Sequence, residues 1–195
     1  MKRSSLVMAL LCGLLVWQPL TQSSPVASAD DKTPDVVYVP TPNDVVARML
    51  NLAKVKKTDV VYDLGCGDGR IVVTAAKKYG AHGIGFDIDP VRLKESRANV
   101  KKNGVGKLVQ IKNENIFKVD LRKASVITLY LLPDLNVKLV SQINKMKSGS
   151  RIVSHEYDIA GFEPVKTIHM KSREDGAEHT IYLWIVPLKR AKKKK

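Results

Sequence analysis

The sequence predicts an α/β protein: a mostly parallel sheet with helices on both faces and an antiparallel strand at its carboxyl-terminal end. Three observations predict this. Short apolar runs alternate four times with segments of helical periodicity. The runs are apolar nearly throughout, as strands covered on both faces are. Two further strands then end the chain with no helix between them, which suits an antiparallel pair.

Each element has its own signal. Thr41 and Pro42 predict a helix start, with Thr41 as N-cap and Pro42 at the first helical position. Val45, Val46, Met49, Leu50 and Ala53 follow at helical spacing. Val60 to Leu64 is the first strand, and it runs into a glycine cluster and a helix from Arg70 to Tyr79, closed by Gly80. Ile84 to Asp87 is the second strand. Pro90 to Lys102 is predicted helical, with Val91, Leu93, Ala98 and Val100 on its apolar side, and Asn103-Gly104 stops it. Leu108 to Ile111 is the third strand and Val126 to Tyr130 the fourth. A helix is predicted from Leu135 to Met146, then a fifth strand from Arg151 to His155, and last the strands Pro164 to Met170 and Thr180 to Val186. No internal repeat is visible.

Length and composition agree with one domain. The chain has 195 residues, 44% of them hydrophobic, enough for a core and far from the composition of a disordered chain. The net charge is +14, and its distribution matters more than its size. Two charges belong to Lys2 and Arg3 and six to the tail from Lys189 to Lys195, which leaves +6 on the body between. A basic tail attracts nucleic acid or anionic membrane, or is simply solvated. It gives no firm nucleic-acid signal.

The first 29 residues have the form of a secretory signal. Lys2 and Arg3 form the charged start, Leu6 to Trp17 an apolar stretch too short for an ordinary membrane span, and Ala27-Ser28-Ala29 a small-x-small cleavage site. Leu11 before Cys12 is too large for a lipobox, and retention as an uncleaved anchor stays open. The predicted organisation is a signal or anchor over 1–29, a linker over 30–38, the α/β domain over 39–188 and a basic tail over 189–195. After cleavage Cys66 has no partner for an internal disulfide. No metal-ligand spacing is recognised, and a monomer is expected.

The chemistry concentrates at the first strand-to-helix turn, Asp63-Leu64-Gly65-Cys66-Gly67-Asp68-Gly69-Arg70. Gly65, Gly67 and Gly69 allow positive φ and close approach of a ligand to backbone. The following helix aims its N–H groups at that ligand, and in an open parallel sheet ligands bind at the carboxyl ends of the strands. A dinucleotide site has the spacing G-x-G-x-x-G; here it is G-x-G-x-G, one residue shorter. Asp63, two residues before the first glycine, suits an ammonium group better than a pyrophosphate. Asp87 ends the second strand, where an acid takes ribose hydroxyls. Two acids at the ends of adjacent apolar strands are costly without a partner. A nucleoside bearing a cationic amino-acid tail fits these observations together.

These residues resemble the class I, seven-strand S-adenosylmethionine-dependent methyltransferases, over roughly Val39 to Pro187. Asp-Leu-Gly-Cys-Gly-Asp-Gly is similar to that family's first motif, and Gly85 to Pro90 to its second-strand acid. The resemblance implies a Rossmann-like seven-strand sheet and S-adenosylmethionine as cofactor. It implies that Gly65, Gly67, Asp68 and Gly69 form the turn around the methionine part, that Asp63 meets the amino group, Asp87 the ribose and Ile88 the adenine. At the position after the third strand, where the family usually offers an acid to the adenine amino group, stands Asn115. A narrower likeness joins Tyr38-Val39-Pro40-Thr41-Pro42, Leu129 to Pro133, Val153-Ser154-His155 and Tyr182 to Pro187. These segments resemble the small protein-lysine methyltransferases, which in mitochondria act on the ATP synthase c-subunit and the ADP/ATP translocase, and their bacterial relatives.

That likeness implies a methyl-accepting substrate that is a protein lysine, methylated by direct displacement without a strong general base. Tyr130 is the candidate for lining the amine pocket, and His155 with Glu156 for moving a proton or binding substrate. The plainer readings are a core aromatic for Tyr130, a structural histidine for His155 and a space-filling residue for Cys66. The rival functions are a NAD-binding oxidoreductase and a catalytically inactive nucleoside-binding relative. A secreted, periplasmic or membrane-anchored location is expected from the first 29 residues. It conflicts with a cofactor made in the cytosol.

Overall fold

The computed structural model describes residues 38–192. The expected signal, cleavage site and most of the expected linker lie outside them, as do the last three residues of the tail. Among the described residues, no helix is long and apolar enough to cross a membrane.

One sheet organises the domain. Its strands are β1 (Val60–Leu64), β2 (His82–Asp87), β3 (Val109–Asn113), β4 (Val126–Leu129), β5 (Arg151–His155), β6 (Lys166–Lys171) and β7 (Glu178–Ile185). They lie in the order β3-β2-β1-β4-β5-β7-β6. The first five are parallel, and β7 enters antiparallel between β5 and β6. The carboxyl ends of β1 to β5 therefore share one edge with the start of β7. The order reverses at β1, which places the turn after it at the switch point where open sheets bind ligands.

The helices are α1 (Asn43–Leu52), α2 (Arg70–Tyr79), α3 (Pro90–Lys102), α4 (Pro133–Lys138) and α5 (Val140–Ile143). Alternation along each strand sends Val61, Val126 and Val153 toward α1 and α2, and Tyr62, Ile127 and Ile152 into a second core with Leu135 of α4 and Ile143 of α5. A third cluster joins Val72 and Val73 of α2 to Val100 of α3 and Val109 of β3.

Three local expectations need correction. Thr41 is not an N-cap: Pro42 occupies that position without a side-chain cap, and α1 begins at Asn43. Glu174 instead accepts from the Asn43 backbone N–H, so the β6–β7 loop supplies the missing acceptor. The buried face of α3 is Leu93, Ser96 and Val100, while Val91 is 52% exposed. The reason is proximity: a Cβ at Gly69 would stand 3.0 Å from the Ser96 Cβ, so the helix meets the glycine turn through a small residue. The single helix expected over 135–146 starts earlier, at Pro133, and divides at Leu139, whose N–H bonds the Asn136 carbonyl three residues back.

Candidate active site

The glycine turn adopts the conformation its composition requires. Gly65, Gly67 and Gly69 have φ of 81°, 52° and 75°. Gly65 and Cys66 both donate to the Phe86 carbonyl, which ties the turn to β2. The Cys66 thiol is buried against Gly85, where a Cβ would lie 2.8 Å from Sγ, and burial raises its pKa. Cys66 packs the turn.

Asp87 holds the turn from below. One carboxylate oxygen accepts from the Gly67 N–H at 2.8 Å; the other accepts from the N–H groups of Ile88 and Asp89. Asp68 forms a forked pair with Arg70 and accepts from its backbone N–H. Arg70 also donates to the Thr41 carbonyl, and Asn99 to that of Asp68. Asp68 thus faces a guanidinium. Asn115 stands after β3, and its side-chain oxygen accepts from the Phe117 N–H at 2.9 Å, capping a short 3-10 turn.

Asp63 differs from all of these. It is 3% exposed, and the Thr128 hydroxyl donates to it at 2.6 Å. Burial pushes its pKa up to about 7, against the Thr128 hydrogen bond, and the carboxylates of Asp87 and Asp68 push it the same way. A buried acid held near neutrality beside two other acids is a site for a cation.

Tyr38 covers the turn. A Cβ at Gly67 would overlap its ring, so the ring lies directly on the glycine backbone, and the Arg92 guanidinium stacks 4.4 Å from the ring centroid. From Tyr38 the chain runs along the sheet edge to Thr41, whose hydroxyl lies 3.0 Å from His155 Nδ1. That bond occupies the side chain expected to cap α1.

His155 belongs to a second group on the same edge. It is fully buried, with the Tyr130 ring 4.2 Å from its own and Tyr157 6.2 Å beyond Tyr130. Its Nε2 lies 2.9 Å from His179 Nδ1 and 3.2 Å from Glu156 Oε1. His179 also meets Asp175. Glu156 has φ 62°, a left-handed conformation uncommon outside glycine. Burial lowers the His155 pKa to about 4. Burial acts in the same sense on His179, but Asp175 and Glu156 together outweigh it and raise that pKa. Burial and the neighbouring Glu156 raise the Tyr130 phenol.

The expected residues therefore fall into two sets on one edge. Asp63, Gly65, Gly67, Asp68, Gly69 and Asp87 form or hold the turn, with Ile88 after β2 and Asn115 after β3, while Tyr130 and His155 stand by β4 and β5. Sequence reasoning missed Tyr38 as a cover for the turn and His179 and Asp175 as partners of His155. Their signal exists only in three dimensions, because β7 runs back antiparallel beside β5.

A parallel sheet with a short glycine turn after β1, an acid before it and an acid at the end of β2 defines a class I S-adenosylmethionine-dependent methyltransferase. The comparisons agree and are more specific. Residues 63–166 match the ANTKMT methyltransferase domain, and the chain belongs to that family. A protein-lysine N-methyltransferase from Saccharolobus islandicus is 46% identical over 156 residues, covering 78% of this chain and 95% of the relative. A lysine N-methyltransferase of the ATP synthase c-subunit, from Caenorhabditis elegans, is 26% identical, covering 69% of this chain and 73% of the relative. A crystal structure of an RNA methyltransferase from Salinibacter ruber in complex with S-adenosyl-L-homocysteine is 42% identical. It has a TM-score of 0.72 and covers 80% of this chain and 98% of that one. The cofactor is S-adenosylmethionine, and the buried Asp63 beside a positive-φ glycine cradle fits it.

Proposed function

We propose that this enzyme methylates the side-chain amine of a protein lysine by direct displacement. The observation that carries the reading is the near full-length match to a relative named as a protein-lysine N-methyltransferase. The geometry agrees: Tyr130 and Tyr157 offer stacked aromatic faces at the carboxyl edge of the sheet, an environment suited to an ammonium that becomes methylated.

When bound, the cofactor supplies a methyl group already activated on sulfur. The chain's residues then bind and align. Asp63, as a carboxylate, holds the amino group. Gly65, Gly67 and Gly69 let the backbone approach the methionine portion, and Asp68 fixes the turn through Arg70. Asp87 takes the ribose with oxygens that also hold the turn. Ile88 packs on the adenine, and Asn115 orders the loop beside it. Tyr38 shields the turn from water. At the acceptor end Tyr130 lines the amine channel, and desolvation there favours the neutral, nucleophilic amine. His155 positions the Tyr130 ring.

The test is methyl transfer from labelled S-adenosylmethionine into a proteome and into total RNA, each treated separately. Label mapped by mass spectrometry to lysine side chains is the expected result. Label confined to RNA would overturn the reading and favour the substrate named for the Salinibacter relative.

A further inference from the structure

The group around His155 holds three potential ligand atoms in one small triangle. His155 Nε2, Glu156 Oε1 and His179 Nδ1 are separated by 2.9, 2.9 and 3.2 Å. His155 ends β5, Glu156 follows it directly and His179 lies at the start of β7, so the antiparallel pairing of β5 and β7 sets the spacing of the two histidines. Ligands bound at about 2.1 Å to one metal ion stand about 3.0 Å apart on an octahedral face and about 3.4 Å apart in a tetrahedron. The observed triangle matches the first and lies close to the second.

The outward atoms supply an independent observation. His179 Nε2 lies 3.1 and 3.2 Å from the two oxygens of Asp175. An ionised carboxylate only accepts, so this nitrogen carries a hydrogen, and in the neutral ring Nδ1 is left as a bare lone pair. His155 Nδ1 lies 3.0 Å from the Thr41 hydroxyl, which can accept from it and leave Nε2 bare as well. A carboxylate or hydroxyl behind each imidazole is the arrangement that orients metal-ligating histidines. With these tautomers, three lone-pair atoms converge within hydrogen-bonding distance of one another. They repel unless a proton or a metal ion lies among them. The left-handed φ of Glu156 fits a backbone constrained to turn its carboxylate into the group.

We propose that His155, Glu156 and His179 bind one borderline divalent metal ion of the zinc class, with Asp175 and Thr41 orienting the two imidazoles. Two imidazoles and one carboxylate suit zinc and its neighbours better than calcium or magnesium. The ion would tie β5 to β7 and, through Thr41, to the segment that covers the glycine turn. The proposal does not depend on which molecule accepts the methyl group.

The test uses the full chain, stripped with a chelator and titrated with zinc by calorimetry, with cobalt absorption as a second probe. One equivalent is expected to bind and to raise the thermal midpoint. His179→Ala, at the less buried corner, is expected to remove that binding, and Asp175→Asn to weaken it at least tenfold. Retained binding of S-adenosylhomocysteine shows that each variant is folded. Equal zinc binding by the wild type and His179→Ala, or no saturable binding by either, would overturn the proposal and leave the three atoms sharing a proton.

Discussion

Asp59 immediately precedes β1 and Asp63 is its penultimate residue, and the two aspartates are almost equally buried, at 2% and 3% exposed. Their surroundings are opposite. Asp59, at the amino end of β1, pairs with Arg151 and accepts from Ser125 and the Lys56 N–H. Burial opposes its charge, but these partners outweigh burial and hold its pKa low. Asp63, at the carboxyl end, has a hydroxyl and two other acids for neighbours, and its pKa stands at about 7. The amino edge of the sheet is electrostatically complete and serves the fold. At the carboxyl edge Asp63 has no cationic partner among the described residues, which suits the cationic cofactor that we propose it binds.

The largest expected effect lies on the completed edge. Asp59→Ala leaves Arg151 without its carboxylate and is expected to cost about 3–5 kcal/mol in urea unfolding, with cofactor affinity in the folded protein little changed. A loss below about 1 kcal/mol would show that the edge is not locked by this pair.

The opposite sign is expected at the other edge. A carboxyl with its folded pKa above its unfolded value near 3.8 destabilises the fold as pH rises from about 4 to about 7, and fully above that. Asp63→Asn is therefore expected to stabilise the ligand-free protein at pH 8 by about 1–3 kcal/mol and to change little at pH 4. Asp59→Asn is expected to destabilise at pH 8, because a depressed pKa contributes stability that is lost only as pH falls. Thermal unfolding of both variants across pH checks the pair. The comparison breaks if both shift in the same direction.

A smaller effect separates binding from folding. Asp87→Ala is expected to weaken S-adenosylmethionine binding at least tenfold, about 1.4 kcal/mol, in a calorimetric titration. Unchanged affinity would remove Asp87 from the cofactor site.

Much of this contrast was legible in the sequence because its signals are local. Apolar runs such as Val60–Leu64 and Val126–Leu129 disclose strands covered on both faces. Asp63, the close glycine spacing and Asp87 together imply the cofactor. What escaped depends on partners distant in the chain. Thr41 has the form of a helix cap, but its hydroxyl pairs with a histidine 114 residues away. Ser96 is polar in sequence yet buried, because the glycine turn needs a small neighbour. His179 sits in an ordinary strand, and only the antiparallel return of β7 brings it to His155. Tyr38 lies outside any periodic segment, and its role is visible only where its ring meets Gly67.

Asp63 is expected to stand largely protonated below neutrality and to ionise when the ammonium of the cofactor binds beside it. Calorimetric titration of S-adenosylmethionine at pH 6, in two buffers of different ionisation enthalpy, measures it directly. We expect close to one proton released per molecule bound, an affinity that tightens about fivefold from pH 6 to pH 7 and about twofold more by pH 8, and neither effect in Asp63→Asn. No proton release by the wild type, or the same release by Asp63→Asn, would contradict it.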